Sequence, residues 1–238
     1  MRILIIQQKR IGDVLTSTII CNNLKKQFPL YTIDYMCYTN SLDVLKGNPN
    51  IDNAILLPHK LRKNYLYLFK FICKIRAKKY DVVIDVYNKL ETNLITMFTG
   101  SNIKIAYHKW YTKLFYTHNL KRFENTETPK YGFAIDNRLL LLEPLNLDQN
   151  KIDPYPKLFI SDEENEKTIS LFEKHKIDRD KKTIMISLLG SEKNKTYPLE
   201  YMTKIVEYIA KHKNVTILFN YFANQIEDAK TIYNSCSK

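Results

Sequence analysis

Glycine is scarce, with only five in 238 residues. A dinucleotide fingerprint needs three closely spaced glycines so that backbone can reach a pyrophosphate at a helix N-terminus, and no stretch supplies them. Cysteine is sparse too. Cys21, Cys37, Cys73 and Cys236 show no paired short spacing, which argues against a zinc site or a disulfide framework. Three of the four lie in apolar segments, so all are expected to be reduced packing residues of a cytoplasmic protein without a metal site. No apolar run approaches the roughly 18 residues of a membrane span. The N-terminus lacks a signal-peptide pattern, because its apolar run turns polar at Gln7-Gln8. Acids are outnumbered 25 to 37 by Lys and Arg, which leaves a net charge of +12. That charge suits an anionic partner: nucleic acid, an anionic membrane or a phosphorylated substrate. A solvated lysine-rich surface explains much of it equally well.

The organising stretch is the turn Arg10-Ile11-Gly12-Asp13. Before it, Ile3-Leu4-Ile5-Ile6 reads as a strand buried on both faces. After it, Val14, Leu15, Ile19, Ile20, Leu24 and Phe28 recur at helical spacing as far as Pro29. In an open parallel sheet such a turn lies at the carboxyl edge of the strands, where ligands bind. Asp13 would put negative charge where a dinucleotide phosphate sits. The spot suits a neutral group with a proton to lose, such as a sugar hydroxyl. Two readings stand for Asp13: a weak base at a helix N-terminus, or a plain helix cap.

Further strands are expected at Thr32–Cys37, Ala54–Leu57, Asp81–Val86 and Ile103–Tyr107. Short helices should cover Ser41–Leu45 and Glu91–Thr99, and a helix should cover Tyr131–Leu142. Lys60 to Lys79 holds eight basic residues and no acid. Lys60, Lys63, Lys70, Lys74 and Lys78 share a helical face with Tyr67, opposite Leu61, Tyr65, Leu68, Ile72 and Ile75. This amphipathic helix fits an anionic membrane surface, or a sheet-covering helix with a solvated face. Thr92 to Phe123 is also free of acid and interleaves Lys104, His108, Lys109 and Arg122 with Tyr107, Trp110 and Tyr111. Such a loop can stack sugars or bases and pair with phosphates, or it can be a partly buried aromatic loop.

Leu147 to Pro156 reads as a link between residues 1–150 and 151–238. The second region repeats the grammar: a capping box at Ser161 and Glu164, a strand over Thr183–Leu189, a helix after Pro198 and a strand over Val215–Phe219. Gly190 and Ser191, then Lys195 ahead of a helix, can hold a phosphate or form a plain loop. The glycine spacing excludes a Walker motif.

Ile11-Gly12-Asp13-Val14-Leu15, Gly47-Asn48-Pro49-Asn50-Ile51-Asp52 and Lys195-Thr196-Tyr197-Pro198 together resemble glycosyltransferase family nine, the ADP-heptose:lipopolysaccharide heptosyltransferases. The resemblance implies an α/β fold of GT-B type: a Rossmann-like first domain with a parallel sheet, and a second Rossmann-like domain that is incomplete here. It implies an inverting transfer without an obligatory metal or cofactor, from a nucleotide-sugar to an anionic glycolipid, at the cytoplasmic surface of the inner membrane. Asp13 matches the catalytic base, Lys195 the lysine facing the donor diphosphate and Ser191 the hydroxyl before it. On the acceptor side Lys9, Arg10, Gly12, Lys89, His108 and Lys109 are expected to meet the ligand.

The chain departs from the family at Gln7, Lys9 and Arg10, where an arginine and small hydroxyl residues are usual. It departs also at Ile19, where proline is usual, and at Tyr197, where tryptophan is usual. The later Asp-Thr-Gly motif is absent, and the second region holds only two strands. A fragment or shortened chain is therefore expected. An inactive remnant or glycolipid-binding module is the alternative. A nucleic-acid-binding Rossmann protein is a third reading, but no nucleic-acid motif organises the basic residues, so no nucleic-acid partner is expected.

Overall fold

The structure is a computed structural model that describes residues 1–58, 64–124, 128–190 and 193–236. Two compact units divide the chain, residues 1–161 and 162–238.

In the first unit β1 (Arg2–Ile6) is the hub. It pairs in parallel with β2 (Thr32–Cys37) on one side and β4 (Val82–Asp85) on the other. The sheet extends through β3 (Asn53–Leu56) beyond β2, and through β5 (Ile103–Tyr107) and β6 (His118–Leu120) beyond β4. All six strands run parallel in the order β3-β2-β1-β4-β5-β6. The sheet sorts alternate side chains to its two faces. Ile3 and Ile5 join Ile33, Tyr35, Val82 and Ile84 beneath α1 (Ile11–Gln27) and α4 (Phe133–Leu140). Leu4 and Ile6 join Met36, Val83 and Ile95 beneath α2 (Tyr65–Arg76) and α3 (Leu90–Phe98). Both faces are covered, so the strand residues are apolar without alternation.

Several boundaries differ from expectation. Ser41–Leu45 is too short for an α-helix and instead makes parts of two 3-10 turns, Thr39–Ser41 and Asp43–Leu45. Gly47 follows at φ +69, and a Cβ there would stand 3.3 Å from the Phe159 carbonyl oxygen. The basic helix starts only at Tyr65, where the Asn64 side chain accepts from the Tyr67 N–H. Lys60, Leu61 and Lys63 lie outside the described residues. The expected helix Tyr131–Leu142 is Phe133–Leu140, with Leu141 and Leu142 buried in the turn that follows. His118–Leu120 is a strand although its pattern carried no apolar run; three residues at a sheet edge need none. Cys21 and Cys37 are buried as packing residues, but Cys73 is exposed on α2.

Residues 147–156, read as a link, dock onto α1. Asn23 donates to the Asp153 carbonyl at 2.8 Å and accepts from its N–H at 2.7 Å, and Gln27 makes the same double contact with the Asp148 backbone. These contacts carry the first unit to Ser161, beyond the expected 150/151 boundary.

The second unit contains α5 (Asp162–Lys174), β7 (Lys182–Ser187), α6 (Leu199–His212), β8 (Val215–Asn220) and α7 (Ile226–Cys236). Its two described strands pair in parallel, Ile184 opposite Ile217. Leu188, Val206, Ala229 and Ile232 form its small core.

One buried charge helps fix the first sheet. Asp34, fully buried on β2, accepts from Tyr80 Oη at 2.5 Å, Asn53 Nδ2 at 2.8 Å and Arg2 Nη2 at 3.0 Å, with Lys78 Nζ at 3.5 Å. Burial alone would raise its pKa, but the hydrogen bonds from Tyr80, Asn53 and Arg2 outweigh it and hold the carboxyl below its ordinary value. The network ties β2 to β1, to β3 and to the turn before β4. Removing the carboxylate strands its partners, so Asp34→Ala should lower stability by about 3 kcal/mol in urea unfolding. A loss within about 0.5 kcal/mol, as at an ordinary surface position, would contradict this role.

Candidate functional site

A parallel sheet brings every strand out at one edge, and the loops after β1, β4 and β5 meet there. They enclose a cavity of about 530 Å³, a ligand-sized volume. Lys9, Arg10 and Asp13 line it after β1, Tyr87 and Lys89 after β4, Tyr107 at the end of β5, Arg122 after β6, and Asn137 and Arg138 on α4. Asp13 is the one carboxylate in this lining, among five basic side chains. Two residues at its rim hold positive φ without being glycine, Arg10 (+61) and Asn88 (+49). Such backbone persists where the surroundings over-determine it, often beside functional sites.

Asp13 is not the cap of α1. Arg10 occupies that position without a capping side-chain bond, and Asp13 lies in the first turn with its carboxylate on Arg138. Arg138 is anchored three ways: Nε to Ser17 Oγ at 3.2 Å, Nη1 to the Ala134 carbonyl at 2.8 Å, and Nη2 to Asp13 Oδ1 at 2.9 Å. The arginine side chain is 11% exposed and the aspartate 45%. The guanidinium is thus a fixed wall, and the carboxylate it aims is open to the cavity. Asp13 Oδ2 makes no hydrogen bond to a described residue. This arrangement can take a proton from a hydroxyl while the surrounding cations hold anionic groups of the same ligand.

Arg122 lies over the Tyr107 ring at 3.9 Å, and the Tyr107 hydroxyl donates to the Asn137 carbonyl at 2.8 Å. Of the expected acceptor-side residues, Lys9, Arg10 and Lys89 line the cavity with Asp13, whereas Gly12, His108 and Lys109 do not. A Cβ at Gly12 would meet nothing within 4 Å, so that position faces open space. His108 is exposed, with its N–H donating to the Leu120 carbonyl at 2.7 Å. Lys109 is spent on the rim, where its ammonium donates to the Asn88 carbonyl oxygen.

The rim rests on Asp85, fully buried at the end of β4. It accepts from the Asn88 N–H and from Tyr116 Oη, both at 2.7 Å, and Asn88 Nδ2 donates to the Tyr107 carbonyl at 2.6 Å. Burial pushes the Asp85 carboxyl up to about 6, against the opposing pull of Tyr116, Asn88, Thr92 and the Lys109 charge.

In the second unit the loop after β7 closes on itself. The Gly190 N–H donates to Thr196 Oγ1 at 3.2 Å, and Gln225 Nε2 donates to the Gly190 carbonyl at 3.1 Å. A Cβ at Gly190 would stand 2.3 Å from the Lys195 carbonyl oxygen, so only glycine allows the approach. The closure fixes Lys195 in a 3-10 turn just before α6. Ser191 lies outside the described residues.

Comparison with known proteins decides the family. The family described as glycosyltransferase family 9 (heptosyltransferase) matches residues 68–238. This chain belongs to that family. Lipopolysaccharide heptosyltransferase 3 of Escherichia coli is 26% identical over 145 residues, which cover 58% of this chain and 41% of that protein. The crystal structure of a glycosyl transferase family 9 protein from Veillonella parvula superposes with a TM-score of 0.85 at 21% identity, over 98% of this chain and 66% of that one. The E. coli heptosyltransferase WaaC, solved with ADP-2-deoxy-2-fluoro heptose, gives a TM-score of 0.73 at 16% identity, over 100% of this chain and 74% of that one. The fold is therefore the expected α/β fold of GT-B type. The chain spans 41% of that heptosyltransferase 3 and 61% of lipopolysaccharide heptosyltransferase 1 of Campylobacter coli, another curated relative, 25% identical over 215 residues.

The cavity of this family 9 member is also lined by residues that its sequence pattern did not announce. Arg138 and Asn137 sit in an ordinary amphipathic helix, and only the fold of α4 over α1 brings Arg138 to Asp13. Arg122 carried a weak signal, as part of the acid-free aromatic stretch.

The raised Asp85 carboxyl gives a pH signature. Its ordinary pKa is 3.8 and its folded value about 6, so the folded state binds the extra proton between them. The contribution of this group to stability is therefore greatest below about pH 4 and falls as pH rises through 6, by about 3 kcal/mol in total. Urea unfolding of Asp85→Asn alongside the parent should show that slope only in the parent. Parallel pH profiles would contradict the assignment.

Proposed function

We propose that this chain transfers a heptose from an ADP-heptose donor to a sugar hydroxyl of the lipopolysaccharide core. The observation that carries the reading is the cavity of the first unit, where one anchored carboxylate is set among five basic side chains. Family membership and the ADP-heptose analogue bound by WaaC support the donor class. The acceptor is an anionic glycolipid, which matches the cavity's charge. The enzyme acts in the cytoplasm, peripherally bound to the inner membrane, where such an acceptor is anchored.

In the step itself, the acceptor hydroxyl oxygen attacks the anomeric carbon while its proton passes to Asp13 Oδ2. The bond from that carbon to the ADP oxygen breaks, ADP leaves with the electron pair, and the configuration inverts. Arg138 holds Oδ1 and so leaves Oδ2 toward the acceptor. Lys9, Arg10 and Lys89 pair with acceptor phosphates or carboxylates. In the second unit Lys195 serves the donor diphosphate, where a cation offsets the charge gained by leaving ADP.

A transfer assay with ADP-heptose and heptose-free lipopolysaccharide core should show turnover, and Asp13→Asn should reduce kcat by about 10²- to 10⁴-fold, the usual worth of a general base. No transfer by the folded chain, or full turnover in Asp13→Asn, would overturn the reading.

A further inference from the structure

α2 covers the sheet with only a narrow part of its surface. Leu68, Ile72 and Ile75 are buried beneath it. Three large apolar side chains in its first five residues instead face solvent: Tyr65 is 85% exposed, Leu66 76% and Phe69 65%. Beside them a groove of about 440 Å³ runs between α2 and α3, walled by Tyr65, Phe69, Leu94 and Phe98. Arg76 closes one end, with Nη1 donating to the Phe98 carbonyl at 3.2 Å. Apolar surface gathered in this way marks an interaction face rather than scattered exposure.

The charge on the face selects its partner. From Asn64 to Tyr80 the chain has no acid. Lys70 and Lys74 are exposed and continue the stripe begun by Leu66, each one helical turn further on. Neither makes an ion pair with a described carboxylate. Two copies meeting through this face would oppose like charges, which disfavours a homodimer. Exposed aromatic and aliphatic side chains flanked by lysines are instead the composition of a helix lying in a membrane interface.

We infer that the α2–α3 face docks on an anionic bilayer, with Tyr65, Leu66 and Phe69 entering the headgroup layer and Lys70 and Lys74 pairing with lipid phosphates. This rests on the membrane placement proposed above and names the surface responsible. The docking face is separate from the Asp13 cavity, so it can be altered without touching the site.

The test is co-sedimentation of the chain with vesicles of phosphatidylcholine alone, or of phosphatidylcholine and phosphatidylglycerol in equal parts. Binding should require the anionic lipid and weaken as salt rises. Lys70→Ala with Lys74→Ala should weaken it about thirtyfold, and Tyr65→Ser with Phe69→Ser at least about tenfold. Circular dichroism checks that each variant is folded. Tyr65→Trp in a Trp110→Phe background provides a second readout, a blue shift of emission on anionic vesicles. ADP calorimetry on the same variants should be unchanged, which separates failure of docking from failure of the donor reading. Equal binding to both vesicle types, no binding by the folded chain, emission unmoved on binding, or self-association abolished by the Tyr65 and Phe69 changes would each overturn the proposal.

Discussion

The first unit depends on the burial of β1. Ile3, Leu4, Ile5 and Ile6 have no solvent exposure, and their alternate side chains supply both cores. A strand buried on both faces and paired on both edges has no freedom of register, since a one-residue slip would exchange the two cores. Because its neighbours are parallel, the chain must return across the sheet between strands and present each loop at the same edge. The Asp13 turn, the Asn88 turn and Tyr107 are neighbours for that reason. The catalytic geometry proposed for Asp13 is a consequence of strand direction first and of side-chain chemistry second.

The same logic separates the basic residues by task. Arg2 and Lys78 serve Asp34 and hold the sheet, and Lys109 holds the Asn88 turn. Arg138 is nearly buried and aims one carboxylate. Lys9, Arg10 and Lys89 line the cavity, and Lys70 and Lys74 lie on another face altogether. Part of the basic excess is thus divided among a structural network, a cavity lining and a helix surface.

How much of this was legible in the sequence depended on range. The apolar run Ile3–Ile6, the helical spacing after Asp13 and the strands at Thr32–Cys37 and Ile103–Tyr107 are local patterns, and they are observed. That Asp13, Lys9, Arg10 and Lys89 lie close together could be read because strand ends in a parallel sheet share an edge, and all four line one cavity. Arg138 could not, since its partner is 125 positions away and only helix packing joins them. His108 and Lys109 were expected from the acid-free basic stretch; the first is exposed outside the cavity lining and the second donates to the Asn88 carbonyl. The exposure of Tyr65 reversed its apolar assignment: α2 begins later than its pattern suggested, and its first turn lies beyond the sheet-facing stripe of Leu68, Ile72 and Ile75.

The proposed reaction divides the labour between a carboxylate for the acceptor in the first unit and a cation for the donor phosphates in the second. Isothermal titration of ADP into the parent chain, Lys195→Ala and Asp13→Asn tests it most directly. Saturable binding is expected, weakened about tenfold or more by Lys195→Ala, in line with loss of a charge-assisted hydrogen bond, and unchanged in Asp13→Asn. ADP binding that survives Lys195→Ala and is lost in Asp13→Asn would contradict it.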